Sequence, residues 1–332
     1  MTPETPAAPR TPAPGHGPGA APGHRPSPAR AGVLMAVAAM SAVQLGSALT
    51  VPLFDQLGAP GAAGLRLGWA GLLLFLCIRP WRRDFGRGDL RACLALGVAT
   101  AGMMVFFTLA LSRLPLGTAS ALEFLGPLAV SLYGPGRGRR VWTAAAALGV
   151  VLLTEPWHGF LDALGIGYAL AAAACWAAYI LLTQRVGDSV TGLAGLAVSM
   201  PVAGVLGMLV AAPALTAHLT WSALWVMLAL ALLSPVLPFA LEFLALRRLT
   251  TSAFGTLMSL EPAFATVIGL LVLGQSPGPA PAVGIACVVI AGVGATRAGG
   301  RQAADASAAP GTPRPSTYGT ADGPAAPARC PS

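Results

Sequence analysis

The sequence predicts an all-α polytopic membrane protein, in which ten transmembrane helices form two inverted five-helix repeats around a central cavity. Composition gives the first indication, because the 332 residues are 55% hydrophobic and only 10% charged, whereas soluble domains carry about 25% charged residues. Apolar runs of roughly 17–25 residues, each long enough to cross a bilayer, recur between charged or turn-forming separators. A shift of 135 positions also superposes one half of the chain on the other without a gap.

The repeat is clearest in the segment Leu114–Pro127, LPLGTASALEFLGP, which returns as Leu249–Pro262, LTTSAFGTLMSLEP. The shift pairs identical residues at Ala110/Ala245, Leu111/Leu246, Arg113/Arg248, Leu114/Leu249, Leu122/Leu257, Leu125/Leu260, Pro127/Pro262 and Gly149/Gly284. Because each unit has an odd number of spans, the second unit is inverted in the membrane. Many secondary transporters use inverted repeats to open one central site to either side. The alternative is a duplication that serves stability alone, in a channel or a scaffold.

The predicted spans cover residues 33–52, 61–79, 91–112, 116–134, 141–155, 163–183, 190–212, 221–245, 251–273 and 280–297. They form a first repeat at 32–157 and a second repeat at 158–297. The flanking segments 1–31 and 298–332 are rich in Pro, Ala and Gly. We expect both to be disordered tails, because they cannot bury enough apolar surface to fold.

Prolines and glycines inside the spans predict local features. Interruptions are expected at Pro127, Pro235, Pro238 and Pro262, because proline leaves backbone groups without their helical partners. Gly64 and Gly68 form a GxxxG motif, which favours close packing of one helix on another.

Arginine placement predicts the topology. All 20 basic residues are arginines, and 18 of them lie in the two tails and in alternate loops. The other loops hold only Arg113, and Arg66 lies inside the second span. The positive-inside rule therefore places both termini in the cytoplasm and the chain in the cytoplasmic membrane as a multi-pass protein. The net charge of +8 then reflects topology, and no nucleic-acid partner is expected.

Four charged residues are predicted to lie within the membrane, away from the span termini: Arg66, Glu123, Glu242 and Glu261. Each costs about 2.5–3.5 kcal/mol at the centre of a membrane helix, so such groups usually face a cavity or a partner. The three acids break the repeat, because Glu123 maps to Met258, Glu261 to Gly126 and Glu242 to Phe107. We expect Glu123 and Glu261 to line the cavity and to bind an amine or carry a proton. The alternative for each is a neutral, hydrogen-bonded contact between helices.

The other charged residues and three uncharged ones leave more alternatives open. Glu242 is either a gate at the cytoplasmic side or an ion pair with Arg247, and Arg66 either pairs with a glutamate or meets a substrate carboxylate. Gln44 lies among small residues of the first span and is expected to reach the cavity. Trp176 and Tyr179 are three residues apart on one helix face, and they form either an aromatic wall or ordinary packing.

Enzymatic and metal-binding motifs are not found in the sequence. There is no HExxH and no Walker A motif, and GPGRGRR at 134–140 follows a membrane helix and not a strand. The five cysteines have no paired spacing, so neither a disulfide framework nor a metal site is predicted. We therefore expect no enzyme, no cofactor and no metal.

Three segments carry a resemblance to a known family: LPLGTASALEFLGPLAV, ACWAAYILLTQRVG and PFALEFLALRRLTTSAFGTLMSLEPAFATVIGLLVLGQ. They resemble the EamA-type drug/metabolite transporter superfamily, most closely its threonine/homoserine exporter branch, over residues 33–297. The resemblance implies a ten-helix basket around a central cavity. It also implies export of small amino acids or related metabolites, driven by the proton gradient, with Glu123, Glu242, Glu261 and Arg66 in matching motifs. The alternatives are an exporter of drugs or other metabolites in the same superfamily, and a structural or channel-like membrane protein. The expected partners are a small-molecule substrate and the lipid bilayer.

Overall fold

The structure is a computed structural model that describes residues 28–79, 86–132, 139–155, 162–189, 194–246, 248–249 and 251–308. The described residues form helices and turns, with no strand among them. The helices are α1 (Pro28–Thr50), α2 (Phe54–Ile78), α3 (Arg87–Leu111), α4 (Leu116–Glu123), α5 (Leu125–Leu132), α6 (Arg139–Thr154), α7 (Ala163–Ser189), α8 (Ala194–His218), α9 (Trp221–Ala231), α10 (Leu237–Leu246), α11 (Thr251–Met258), α12 (Glu261–Leu273) and α13 (Pro279–Ala308).

Most of these helices, singly or as two consecutive helices, are long enough to span a membrane. Within the described residues, seven stretches are long and apolar enough to cross a membrane, and Leu116–Leu132 and Arg140–Thr154 are shorter apolar helices. The stretch Arg30–Ile78 has 49 residues, because α1 and α2 follow each other with a single helical turn between them. Gly58 breaks this stretch with φ +66° and ψ 160°, a conformation that glycine adopts readily. The prediction of an all-helical multi-pass membrane protein is therefore confirmed.

Three predicted spans are interrupted near their prolines. Pro127 lacks the N–H that would bond to the carbonyl oxygen of Glu123, and the helix breaks at Phe124 between α4 and α5. Pro262 has the same relation to Met258, and α11 is separated from α12 by two residues. Between α9 and α10, Leu232–Val236 form a wider π-type segment containing Pro235. Pro238 lies inside α10 without a further break.

The predicted tails differ in part from the structure. Helix α1 begins at Pro28, and α13 continues to Ala308, so residues 298–308 are helical where a disordered tail was expected. This segment contains five alanines, and alanine has the highest helix propensity. Residues 1–27 and 309–332 lie outside the described part of the chain.

Helices of one half pack chiefly against helices of the other half. Equivalent helices meet in the pairs α2–α8 and α6–α13, and the exchanged pairs α3–α7 and α1–α10 both occur. Helix α4, whose equivalent is α11, packs against α12 of the same interrupted span. Gly149 and Gly284, which the 135-residue shift superposes, face each other between α6 and α13. A Cβ added to either glycine would lie about 3 Å from the carbonyl oxygen of the other, at 3.0 and 2.9 Å. These glycines therefore permit two backbones to approach closely.

The GxxxG prediction is confirmed at the contact between α2 and α8. A Cβ on Gly64 would collide with the carbonyl oxygen of Gly207 and the Cβ of Ala211. A Cβ on Gly68 would lie 3.0 Å from the Met208 side chain. Side chains at these positions would push the two helices apart.

The turns that lead into α4 and α11 are built alike. Leu114 and Leu249 each donate a backbone hydrogen bond to an alanine carbonyl four residues earlier, at 2.8 and 2.9 Å. Each turn rests on a glycine of the other half. A Cβ on Gly165 of α7 would lie 3.0 Å from Leu114, and one on Gly32 of α1 would lie 2.8 Å from Leu249. The repeat in the sequence is therefore matched by a repeat in the contacts between each turn and a glycine of the other half.

Charge distinguishes the two turns. Arg113 forms an ion pair with Asp162 at 3.1 Å, and Asp162 also caps α7 by accepting the Gly165 N–H at 2.8 Å. At the equivalent turn, Arg248 contacts the Met35 sulfur at 3.1 Å instead. The Gly165 N–H and the Arg113 guanidinium hold the pKa of Asp162 below its usual range. One turn is thus tied to α7 by a carboxylate.

Replacing Asp162 with Asn should remove a small contribution to stability that is present at neutral pH and is lost in acid. Because the pKa of Asp162 is lowered by folding, its contribution is present above its unfolded pKa and is lost as the pH falls below about 4. Asn keeps the cap but not the charge, so the unfolding temperature of the variant in detergent should fall less steeply below that pH. Arg248→Gln at the equivalent turn is the matched control and should keep the wild-type acid profile. An unchanged profile in Asp162→Asn would contradict this role.

Candidate functional site

The four predicted intramembrane charges lie on four different helices. Arg66 is on α2, Glu123 ends α4, Glu242 is on α10 and Glu261 begins α12. Arg66 and Glu123 are buried, with exposures of 1% and 8%, and the other two are partly buried. Electrostatic effects connect the four in a row. The charge of Glu123 acts on Arg66, the charge of Glu261 acts on Glu123, and the charge of Glu242 acts on Glu261. The fold therefore brings all four together from distant parts of the sequence.

Two of the acids are positioned by the helix breaks. Glu123 is the last residue of α4, where Pro127 leaves its carbonyl without a helical partner. Glu261 is the first residue of α12, directly before Pro262. A carboxylate at a helix N-terminus is favoured by the helix dipole. Since α4 packs against α12, the interrupted helices of the two halves bring their acids toward each other.

Gln44 of α1 connects the two interrupted helices. Its Nε2 donates to Glu261 Oε1 at 3.1 Å and to Ser120 Oγ on α4 at 3.5 Å. Gln44 is 1% exposed. The structure thus places Gln44 directly beside one of the predicted acids.

Arg66 has few direct partners. Its Nη1 donates to Thr50 Oγ1 at 3.4 Å, while the Thr50 hydroxyl donates to the Gly46 carbonyl at 2.6 Å. No carboxylate oxygen of the described residues lies within 4.0 Å of the guanidinium. Glu123 is close enough to act on Arg66 electrostatically but does not form a direct ion pair with it. Direct pairing of Arg66 with a glutamate, one of its two predicted alternatives, is therefore not observed.

The two aromatic candidates on α7 have different surroundings. Trp176 makes an edge contact with Phe124, with ring centroids 6.2 Å apart, and so reaches the break beside Glu123. Tyr179 packs against the cluster of Cys93 and Leu96, where the charge of Glu242 acts on it. A single aromatic wall is therefore not formed by this pair.

Glu242 makes no hydrogen bond or ion pair with any described residue. The predicted alternative partner, Arg247, lies outside the described residues. Glu242 remains linked to the site through its electrostatic effect on Glu261.

Several polar groups of the site were not singled out from the sequence. Thr50 contacts Arg66 and Ser120 contacts Gln44, and Gln275 accepts the Leu116 N–H at 2.9 Å, which caps α4. Trp69 follows Arg66 by three residues, a helical spacing that marks the same face. Among the described residues no group of three metal-ligating side chains occurs.

Comparisons with known proteins agree with this architecture. A family model described as the EamA-like transporter family matches residues 163–296. The threonine/homoserine exporter RhtA of Escherichia coli K12 is 40% identical over 271 residues, covering 80% of this chain and 90% of that protein. RhtA of Salmonella typhimurium LT2 is 39% identical over 268 residues, with the same coverage of 80% and 90%. A solved structure described as a crystal structure of a protein is similar with a TM-score of 0.51 and 18% identity, covering 80% of this chain and 96% of that chain. This last likeness concerns the fold alone.

The apolar helices and the charges buried between them define a multi-pass membrane protein with an internal polar site. The chain belongs to the EamA-like transporter family of the drug/metabolite transporter superfamily, in the branch whose curated members are named threonine/homoserine exporters. Its named relatives are transporters and not enzymes. The family resemblance and the prediction of a non-enzymatic membrane transport protein are therefore confirmed.

Proposed function

We propose that this protein is a secondary transporter that exports threonine, homoserine or similar small amino acids across the cytoplasmic membrane, driven by the proton gradient. The relatives named threonine/homoserine exporters, matched over 90% of their length, support the substrate class. The observation that carries the mechanism is the cluster formed by the buried residues Arg66 and Glu123 with the partly buried Glu261. Intramembrane charges of this kind mark substrate or ion pathways.

The proposed architecture is a ten-helix basket of two inverted repeats, at 32–157 and 158–297, with both termini in the cytoplasm. Two findings support it: helices of one half pack against equivalent or exchanged helices of the other, and the breaks after Glu123 and after Met258 coincide under the 135-residue shift. The arginine-rich alternate loops support the orientation. Alternate opening at the two equivalent turns would then expose the same site to either side.

An amino acid is a zwitterion, so its site needs an anionic and a cationic part. Glu261, held by Gln44, and Glu123 suit the ammonium group and the coupled proton. Arg66, which has no carboxylate of the described residues within 4.0 Å, suits the carboxylate. Glu242 would act next to this site through its charge on Glu261. Trp176 would shape the wall beside Glu123, and Tyr179 would support the same helix.

Efflux from proteoliposomes tests the proposal. Purified protein should export threonine and homoserine faster with a proton gradient than without one, and a protonophore should remove the difference. A branched amino acid and a cationic dye complete the panel. Dye movement without amino-acid movement would favour a drug exporter, and no gradient-dependent movement of any compound would overturn the transporter proposal.

A further inference from the structure

Three buried side-chain atoms lack a hydrogen-bond partner in the described part of the chain: Gln44 Oε1, Arg66 Nε and Trp69 Nε1. Other buried hydroxyls, such as those of Thr50 and Thr100, donate to a carbonyl four residues earlier. In native structures about 90% or more of buried polar groups are paired, because an unpaired one loses its hydrogen bonds to water without replacement. Two of these atoms belong to Gln44 and Arg66 of the polar site, and the third belongs to Trp69, three residues from Arg66 on α2. Buried atoms without partners at these positions indicate groups that a ligand satisfies.

Two of the three atoms are N–H donors on one face of α2. Arg66 and Trp69 are three residues apart, which places their Cβ atoms about 5–6 Å from each other on a helix surface. Arg66 offers a charged donor, and Trp69 can donate but cannot accept. A charged and a neutral N–H on one helix face match the two oxygens of a carboxylate.

The third atom is an acceptor on a different helix, α1. Gln44 uses its amide nitrogen on Glu261 and Ser120, which leaves Oε1 unpaired. An amide oxygen beside a carboxylate suits an ammonium group, which carries three donors and no acceptor.

The acceptor and the charged donor lie at different levels of the site. Gln44 and Thr50, the residue that Arg66 contacts, are six positions apart on α1, or about 9 Å along the helix axis. A ligand that meets both groups would therefore do so with its two ends.

We propose that the Trp69 indole N–H is a specificity-determining donor, which binds the substrate carboxylate together with Arg66 Nε while Gln44 Oε1 accepts from the ammonium. This inference rests on the proposed function, because it identifies the part of the site that recognises the acid group. It assigns a binding role to a residue outside the charged cluster. A threonine derivative without a charged carboxylate, such as threoninamide, should lose most of this interaction.

Trp69→Phe tests the inference, because it removes the N–H and keeps most of the ring. In proteoliposomes the KM for threonine should rise about tenfold or more, as expected for a lost hydrogen bond to a charged group. The KM for threoninamide should change little, so discrimination between acid and amide should shrink. Trp225→Phe, at a tryptophan that is 55% exposed, is the matched control and should leave both values unchanged.

Arg66→Lys gives a second, independent measurement, because it removes Nε and keeps the positive charge. The same selective rise in the KM for threonine is expected. If the KM rose equally for threonine and threoninamide in the two variants, the effect would come from altered packing and the inference would be overturned. Unchanged KM values would overturn it as well. If the wild-type protein moves neither compound, the proposed function fails, which is a separate outcome.

Discussion

Glu123→Gln is expected to lower gradient-driven efflux of threonine by two orders of magnitude or more, the range in which a positioned proton-transfer group contributes. Glu123 is 8% exposed. Its charge acts on Arg66, and the charge of Glu261 acts on it. Gln has the same shape but cannot exchange a proton. Efflux from energised proteoliposomes measures the effect.

Counterflow exchange separates the proton from the substrate. Exchange of one threonine for another requires no net proton movement, so the Glu123 variant should retain it. Glu261→Gln should lose both gradient-driven efflux and exchange, because Glu261 is held by Gln44 and is assigned to the ammonium group. The two acids should therefore differ in exchange although both are needed for export.

Asp55→Asn, at an exposed aspartate near the start of α2, is the control and should transport normally. Full gradient-driven efflux in Glu123→Gln would show that this carboxyl group only connects helices. Loss of exchange in the same variant would assign it to the substrate instead.

The sequence predicted those features that repeat. Leu116–Glu123 and Thr251–Met258, the helices α4 and α11, coincide under the 135-residue shift, because a proline follows each at the same distance. Gly149 and Gly284 coincide as well, since each must admit the backbone of the other. Hydrophobic runs, prolines and close-packing glycines are set by local chemistry, and local chemistry can be recognised in a single sequence.

The structure explains why the acidic residues do not repeat between the two halves. Glu261 maps to Gly126, where an added Cβ would collide with the carbonyl of Ala173 on α7. A side chain is therefore excluded in one half, whereas α12 has room for a carboxylate that Gln44 meets. Gln44 itself maps to Tyr179, so the polar contact cannot be repeated. The sequence could identify that symmetry was broken, but not the helix that prevents its repetition.

Trp69 and Thr50 illustrate a second limit. Tryptophan and threonine are common in membrane helices, so neither residue type marks a site. Their proposed role depends on an unpaired nitrogen and on a 3.4 Å contact to Arg66, and both follow from tertiary packing. Contacts between distant residues are not encoded in local periodicity, which is why the charged residues were found and these were not.

Gly64→Val is expected to destabilise the protein by about 3 kcal/mol or more, the upper range for overpacking. An added Cβ would already collide with the Gly207 carbonyl oxygen and with Ala211 on α8, and valine adds two further methyl groups. A backbone carbonyl cannot move away as a flexible side chain can, so α2 and α8 must separate. The unfolding temperature in detergent should fall by roughly 5 °C or more.

Gly167→Ala is the matched control, because nothing lies within 4 Å of a Cβ added at that position of α7. Alanine favours a helix over glycine by about 0.5–1 kcal/mol, so this variant should unfold at the same temperature or slightly higher. A wild-type unfolding temperature in Gly64→Val would contradict the close approach of α2 and α8. Because Arg66 and Trp69 are carried by α2, displacement of this helix should also weaken threonine transport, which connects the packing of the two halves to the site between them.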